Sequence, residues 1–157
     1  MGLNRHCVSA GMGWRIVSSP EVGHWTMART GGAYFPGRSV AIGLENDGKL
    51  TAGVVYEMYN GVSVVCHITW DRITPAYLAA VFDYPYNRAK VDKIIGPVSS
   101  NHTRALALVK KLGFVEEARI KDAAPDGDIV FLTQTRDACR YLEPRYGQKI
   151  ASTAASA

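Results

Sequence analysis

Lys93-Ile-Ile-Gly-Pro-Val-Ser-Ser-Asn-His-Thr-Arg-Ala-Leu-Ala-Leu-Val-Lys-Lys-Leu-Gly-Phe114 reads as a strand, a helix and the entry to a second strand. The apolar run from Val91 to Val98 is the first strand, and Pro97 points to its end or to an irregularity. Ser99, Ser100 and Asn101 are N-cap residue types, placed where this run gives way to helical spacing. Ala105, Leu108, Val109 and Leu112 recur at three and four residues and so share one helix face. Lys110 and Lys111 lie near the negative end of the helix dipole, and Gly113 is the expected residue just past that end. A helix that opens at a strand end offers free N–H groups to an anion.

Upstream, Asn60-Gly61 is a strong hairpin signal between strands over Leu50 to Met58 and Val62 to Trp70. A two-residue turn pairs Tyr59 with Val62, Glu57 with Val64, Tyr56 with Val65 and Val54 with His67. Alternation then predicts Val54, Tyr56, Val65, His67 and Thr69 on one face, and Val55, Glu57, Val64, Cys66 and Ile68 on the other. Val40 to Leu44 is a preceding strand, joined through Asn46-Asp-Gly48. Trp14 to Val17 is a short first strand, and Pro20 starts a helix that Gly31-Gly32 ends. The loop Ala33-Tyr-Phe-Pro-Gly37 is either an aromatic plug of the core or a wall of a binding site. Thr74 caps and Pro75 opens another helix, carrying Leu78, Val81 and Phe82, which Pro85 ends or kinks. Downstream, strands over Phe114 to Lys121 and Ile129 to Thr133 meet at Ala-Pro-Asp-Gly127, and Thr135 to Leu142 is a short last helix. The fold class is α+β: a mixed, mostly antiparallel sheet of about six or seven strands flanked by helices.

The 157 residues suit one domain, over 1–143 with 1–13 loosely held, and the Ala/Ser-rich 144–157 reads as a disordered tail. No apolar run approaches the roughly 20 residues of a membrane span, and the first residues lack a secretory core. Three cysteines without metal spacing fit reduced thiols of a cytoplasmic chain. Half of the +4 net charge falls after residue 139, so the body offers little to nucleic acid, although it suits an anionic ligand. Asp122, Asp126 and Asp128 are explained by a Pro-Asp-Gly turn, and no metal is expected there.

A strand, then Asn101-x-x-x-Ala105, a helix ending Lys110-Lys-Leu-Gly-Phe114, and Val115-Glu-Glu-Ala118 resemble the C-terminal half of the Gcn5-related N-acetyltransferases (GNAT). The chain is most similar to small phage-encoded GNAT-like proteins, through Ile-Lys-Asp-Ala-Ala-Pro-Asp-Gly-Asp at 120–128. The resemblance spans roughly residues 40 to 142. It implies an acetyl-coenzyme A co-substrate in a splay between strands four and five, and transfer to a primary amine of a small molecule or protein. Backbone groups at the exit of the fourth strand (His67, Ile68, Thr69) would hold the pantetheine arm.

Relatives cradle the pyrophosphate in a glycine-rich loop. Here that stretch is Trp70-Asp-Arg-Ile-Thr-Pro75, without glycine, leaving Arg72 and Thr74 as substitutes. Asn101 or His102 takes the place of the family's cofactor asparagine, with Arg104 near the same end. A tyrosine that often protonates the leaving thiolate aligns with Val109 and is absent. His67 is the candidate base, since histidine accepts a proton near neutrality; Glu57 is the alternative and Asp71 a third. Tyr34, Tyr56 and Tyr84 are candidate walls of the acceptor pocket, and Cys66 reads as a small hydrophobe. Many relatives form homodimers. The competing readings are a GNAT-fold phage accessory protein that binds protein or nucleic acid without acetylating, and a GNAT-like DNA-modifying enzyme.

Overall fold

A computed structural model describes residues 13–142. The expected loose start (1–13) and disordered tail (144–157) lie outside the described residues except for Gly13, whose amide donates to Asp47 Oδ1 at 2.6 Å. The elements run β1 (Trp14–Val17), α1 (Pro20–Thr30), β2 (Val40–Asn46), β3 (Lys49–Glu57), β4 (Ser63–Trp70), α2 (Pro75–Asp83), β5 (Lys93–Ser99), α3 (Thr103–Lys111), β6 (Val115–Ala124) and β7 (Gly127–Thr135). They build one seven-stranded sheet in the order β1-β2-β3-β4-β5-β7-β6. Every neighbouring pair is antiparallel except β4 and β5, which run parallel.

Local chemistry sets the helix starts. Ser19 Oγ accepts from the Val22 amide, and Thr74 Oγ1 accepts from the Tyr77 amide at 3.2 Å. Pro20 and Pro75 sit in the first turns, where an N–H has no intrahelical partner to lose. Pro85 acts as expected: α2 stops at Asp83, and the chain continues as a single π turn, Tyr84–Arg88.

The core lies on both faces of the first half of the sheet. On one face α1 packs over β2, β3 and β4, joining Val22 and Met27 to Ala41 and Val55. On the other, Val54, Tyr56, Val64, Ile94 and Leu132 meet Tyr77, Val81 and Phe82 of α2.

Three expectations are corrected. The β3–β4 register is shifted by one residue: Glu57 pairs with Val65, Tyr56 with Cys66 and Val55 with His67. The loop is wider than two residues because Met58 adopts φ 55° and Gly61 φ 88°, while Asn60 Oδ1 accepts the amides of Val62 (3.0 Å) and Ser63 (2.8 Å). A one-residue slip exchanges the partner faces. His67 and Thr69 therefore share the α1 side with Val55 and Glu57, and Cys66 and Ile68 join Val54 and Tyr56 on the α2 side.

Secondly, none of Ser99, Ser100 and Asn101 caps α3. Its N-cap is His102, without a side-chain cap, because the serine hydroxyls are engaged with the β6–β7 hairpin. Thirdly, the last helix is two 3₁₀ turns, Arg136–Ala138 and Arg140–Leu142. β7 is longer than expected and takes up Gln134 and Thr135.

Candidate active site

β4 and β5 are joined at only three positions, Ser63–Lys93, Val64–Ile94 and Val65–Ile95. Beyond them β4 runs on to Trp70 and β5 to Ser99 without pairing to each other. Backbone polar groups along this parting have no partner from the facing strand, and such groups need one when buried. A cavity of about 1020 Å³ fills the parting. Cys66 to Trp70 line one arm and Gly96 to Ser99 the other. Val109 and the start of α3, Asn101 to Ala105, form one wall; Tyr56, Val81 and Phe82 form another, and the end of α1, Ala28 to Gly31, flanks it.

Near the apex, His67 Nε2 lies 2.7 Å from Glu57 Oε1, with the two side chains 20% and 22% exposed. The corrected register makes this contact possible, since the two residues stand on one face at the pair diagonal to Val55–His67. A carboxylate only accepts, so the imidazole hydrogen is assigned to Nε2, and Nδ1 keeps its lone pair. Glu57 lies outside the cavity lining, and His67 is part of it. The two groups expected as alternatives are thus one unit, with His67 in front.

Further along β4 on the same side, Arg29 grips Asp71 with both Nη groups, at 2.7 and 3.0 Å, and its Nε donates to Thr69 Oγ1 at 3.2 Å. Its guanidinium lies 4.5 Å over the Trp25 ring. The Arg29 hydrogen bonds hold the Asp71 carboxyl below its usual range. Asp71 is therefore committed to this strap and poorly placed to act as a base. At the mouth, Arg104 lies 4.9 Å over Trp70. His102 Nε2 is 3.9 Å from Asp126 Oδ2, and Ser99 Oγ donates to Asp126 Oδ1 at 2.8 Å. Ser100 Oγ accepts the Asp128 amide at 2.9 Å, which ties the β6–β7 hairpin to the start of α3.

His67, Ile68, Thr69, Asn101, His102, Arg104 and Tyr56 all line the cavity. The Tyr56 hydroxyl, however, donates to Val81 O at 2.8 Å, and burial pushes its pKa up, so it is a fixed wall. Four expected residues lie elsewhere. Arg72 is turned toward the Trp14 ring at 5.8 Å, and Thr74 is spent on the α2 cap. Tyr34 packs its ring on Gly23 and its edge on His24 at 5.3 Å, which is the core-plug alternative. Tyr84 stands behind Tyr56, with centroids 5.7 Å apart. Burial pushes the Cys66 thiol up to about 12, so it stays protonated and is no nucleophile. Arg29, Trp70 and Asp126 line the cavity without having been expected there. Trp70 alone carried a local signal, as the last residue of a strand leading to the site.

The chain matches no protein-family model and no curated protein sequence. Its fold has solved counterparts. A variant of the spermidine N-acetyltransferase SpeG from Vibrio cholerae superposes with a TM-score of 0.66 at 14% identity, covering 84% of this chain and 98% of that one. Mutant forms of the spermidine/spermine N-acetyltransferase SpeG from the same organism give 0.64 at 15%, covering 82% and 97%. A structure described as a probable acetyltransferase gives 0.55 at 15%, covering 64% and 63%. At these identities the likeness shows the fold, which is that of the Gcn5-related N-acetyltransferases.

Proposed function

We propose that this protein is an N-acyltransferase that moves an acetyl group from acetyl-coenzyme A to a primary amine, with His67 as general base and Glu57 as its orienting partner. The observation that carries this reading is the Glu57–His67 pair at the apex of a parted β4–β5 seam. The residues present fit the co-substrate's pantetheine arm: an extended, amide-bearing chain can bond the open backbone of 66–70 while Ile68 and Cys66 face its methylenes. The start of α2 does not fit the diphosphate, because Pro75 has no N–H and Thr74 already caps. The Arg104 guanidinium and the His102 imidazole line the cavity at the start of α3, and they would take that role.

When bound, acetyl-coenzyme A supplies a thioester whose carbonyl carbon is the electrophile. His67 Nδ1 accepts the proton that the amine nitrogen loses as it bonds to that carbon. Glu57 holds the imidazole by Nε2 and stabilises it once it is charged. The C–S bond breaks as the amide forms, and the departing thiolate takes a proton from solvent while His67 gives the amine proton back to solvent. No tyrosine stands at Val109 to protonate the thiolate directly.

The kinship with small phage-encoded proteins rests on the run at 120–128 and belongs to this proposal, as do a cytoplasmic location and a homodimeric state. No helix among the described residues is long and apolar enough to cross a membrane. The closed start of α2 favours a second reading, a GNAT-fold accessory protein that binds a partner without acylating it. Thermal unfolding with acetyl-coenzyme A decides between them. Ligand at about 100 times its dissociation constant adds about 2.7 kcal/mol. A raised melting temperature is expected, and no shift at millimolar ligand selects the second reading. A thiol-release screen over amines then identifies the acceptor class.

A further inference from the structure

On the α1 side of the sheet the register aligns three rows across β5, β7 and β6: Ile95–Thr133–Val115, Pro97–Phe131–Ala118 and Ser99–Ile129–Ile120. None of the apolar residues in these rows belongs to either hydrophobic core cluster. Val115 is 64% and Ile120 51% exposed. α1 packs over β2, β3 and β4 instead. Among the described residues the second half of the sheet therefore has an apolar face that lies outside both core clusters, the kind of surface that marks a docking site. It is continuous with the cavity: Pro97 and Ser99 line both, and His67 reaches the cavity from the same side.

Three carboxylates on this side are matched. Glu57 is bound to His67, Asp71 to Arg29, and Glu117 to Lys93 at 3.0 Å and to Thr133. A polyamine needs free carboxylates, and these three have partners. A nucleic acid needs free cations, and Lys93 and Arg29 are taken. The surface complements an occupant with little charge and an apolar body.

We propose that the acceptor is the amine of a polypeptide whose neighbouring apolar side chains lie across Pro97, Phe131, Ile129 and Ile120. The inference rests on the acyl-transfer reading above. The amine would enter beside His67 while the following residues cover the bare strands.

The test compares acetyl transfer to a short peptide with leucine and phenylalanine after its free amine, to a Gly/Ser peptide of equal length, and to spermidine. The Ile120→Asp and Phe131→Ala variants are assayed beside the parent chain. Ile120 is exposed, so its replacement leaves the core intact. The apolar peptide is expected to be the best acceptor. Both variants are expected to raise its KM about tenfold, with kcat and the acetyl-coenzyme A thermal shift unchanged. Equal or better transfer to spermidine, indifferent to both variants, overturns the inference and leaves the enzyme reading standing. So does a dimer in light scattering that Ile120→Asp splits without affecting transfer, because a second copy would then own the face. Absence of the thermal shift removes the enzyme reading itself and this inference with it.

Discussion

The two strands that part at the candidate site lead into differently built halves of the molecule. β4 leaves the seam among strands covered on both faces, by α1 on one side and α2 on the other. β5 leaves it among strands bare on the α1 side and met on the other by α3, of whose nine residues only Val109 is buried. The polar groups beside β4 are each held in place: His67 by Glu57, Asp71 and Thr69 by Arg29. Those beside β5 stand at a mouth, where Asn101, His102 and Arg104 are exposed. Proton transfer needs a fixed geometry, and loading two substrates needs access. On the acyl-transfer reading proposed above, the first would fall to one arm and the second to the other.

The sharpest way to break this division is to remove the proposed base. His67→Ala is expected to lower turnover by about 10²–10⁴-fold while the thermal shift with acetyl-coenzyme A survives. Glu57→Gln is expected to cost less, since the imidazole stays but its tautomer is no longer fixed. Full activity in both would show that the covered arm does not carry the chemistry.

Next come two glycines, one in each half. A methyl at Gly53 would run into Thr26 Oγ1, and Thr26 is fully buried with its hydroxyl donated to Val22 O at 2.7 Å. Gly53→Ala should therefore destabilise by about 1–3 kcal/mol in urea unfolding. At Gly127 the methyl would meet Ser100 Oγ, an exchangeable contact whose loss frees the Asp128 amide, for about 0.5–1.5 kcal/mol. The reverse order would mean that the bare half is the more rigidly packed.

The two helix starts sharpen the same contrast. Thr74→Ala should cost about 1 kcal/mol of stability through its lost cap and leave coenzyme A affinity alone. Arg104→Ala should weaken that affinity at unchanged stability; calorimetry that finds the opposite pairing would return the phosphates to α2.

The smallest effect is in acid. Asp71 is depressed by Arg29, so the strap's contribution is complete above the ordinary carboxylate pKa and disappears as pH falls through the lowered value. Asp71→Asn should be less stable than the parent at neutral pH and converge with it in acid. A gap that persists in strong acid would show that the strap acts by packing alone.

Much of this was readable where the cause is local. Pro20, Thr74 and Pro75 announce their helices because caps and proline act within one turn. The hairpin register was not readable, because it turned on Met58 entering left-handed φ, which a methionine does not advertise. With Gly61 and the Asn60 side chain, it sets whether Glu57 and His67 meet or face apart. The α3 cap was misjudged for a tertiary reason: Ser99 and Ser100 spend their hydroxyls on a hairpin some 27 residues away. Arg29 reaches the cavity only because α1 crosses β4, and no spacing in the chain encodes that crossing.

The three-rung ladder between β4 and β5 has one more consequence. Past Val65 and Ile95 the sheet is an open zipper, and a guest threaded there supplies the missing teeth for both strands. Amide exchange at 66–70 and at Gly96, Val98 and Ser99 would then slow together on loading, and occupancy would be written into the backbone of both halves at once.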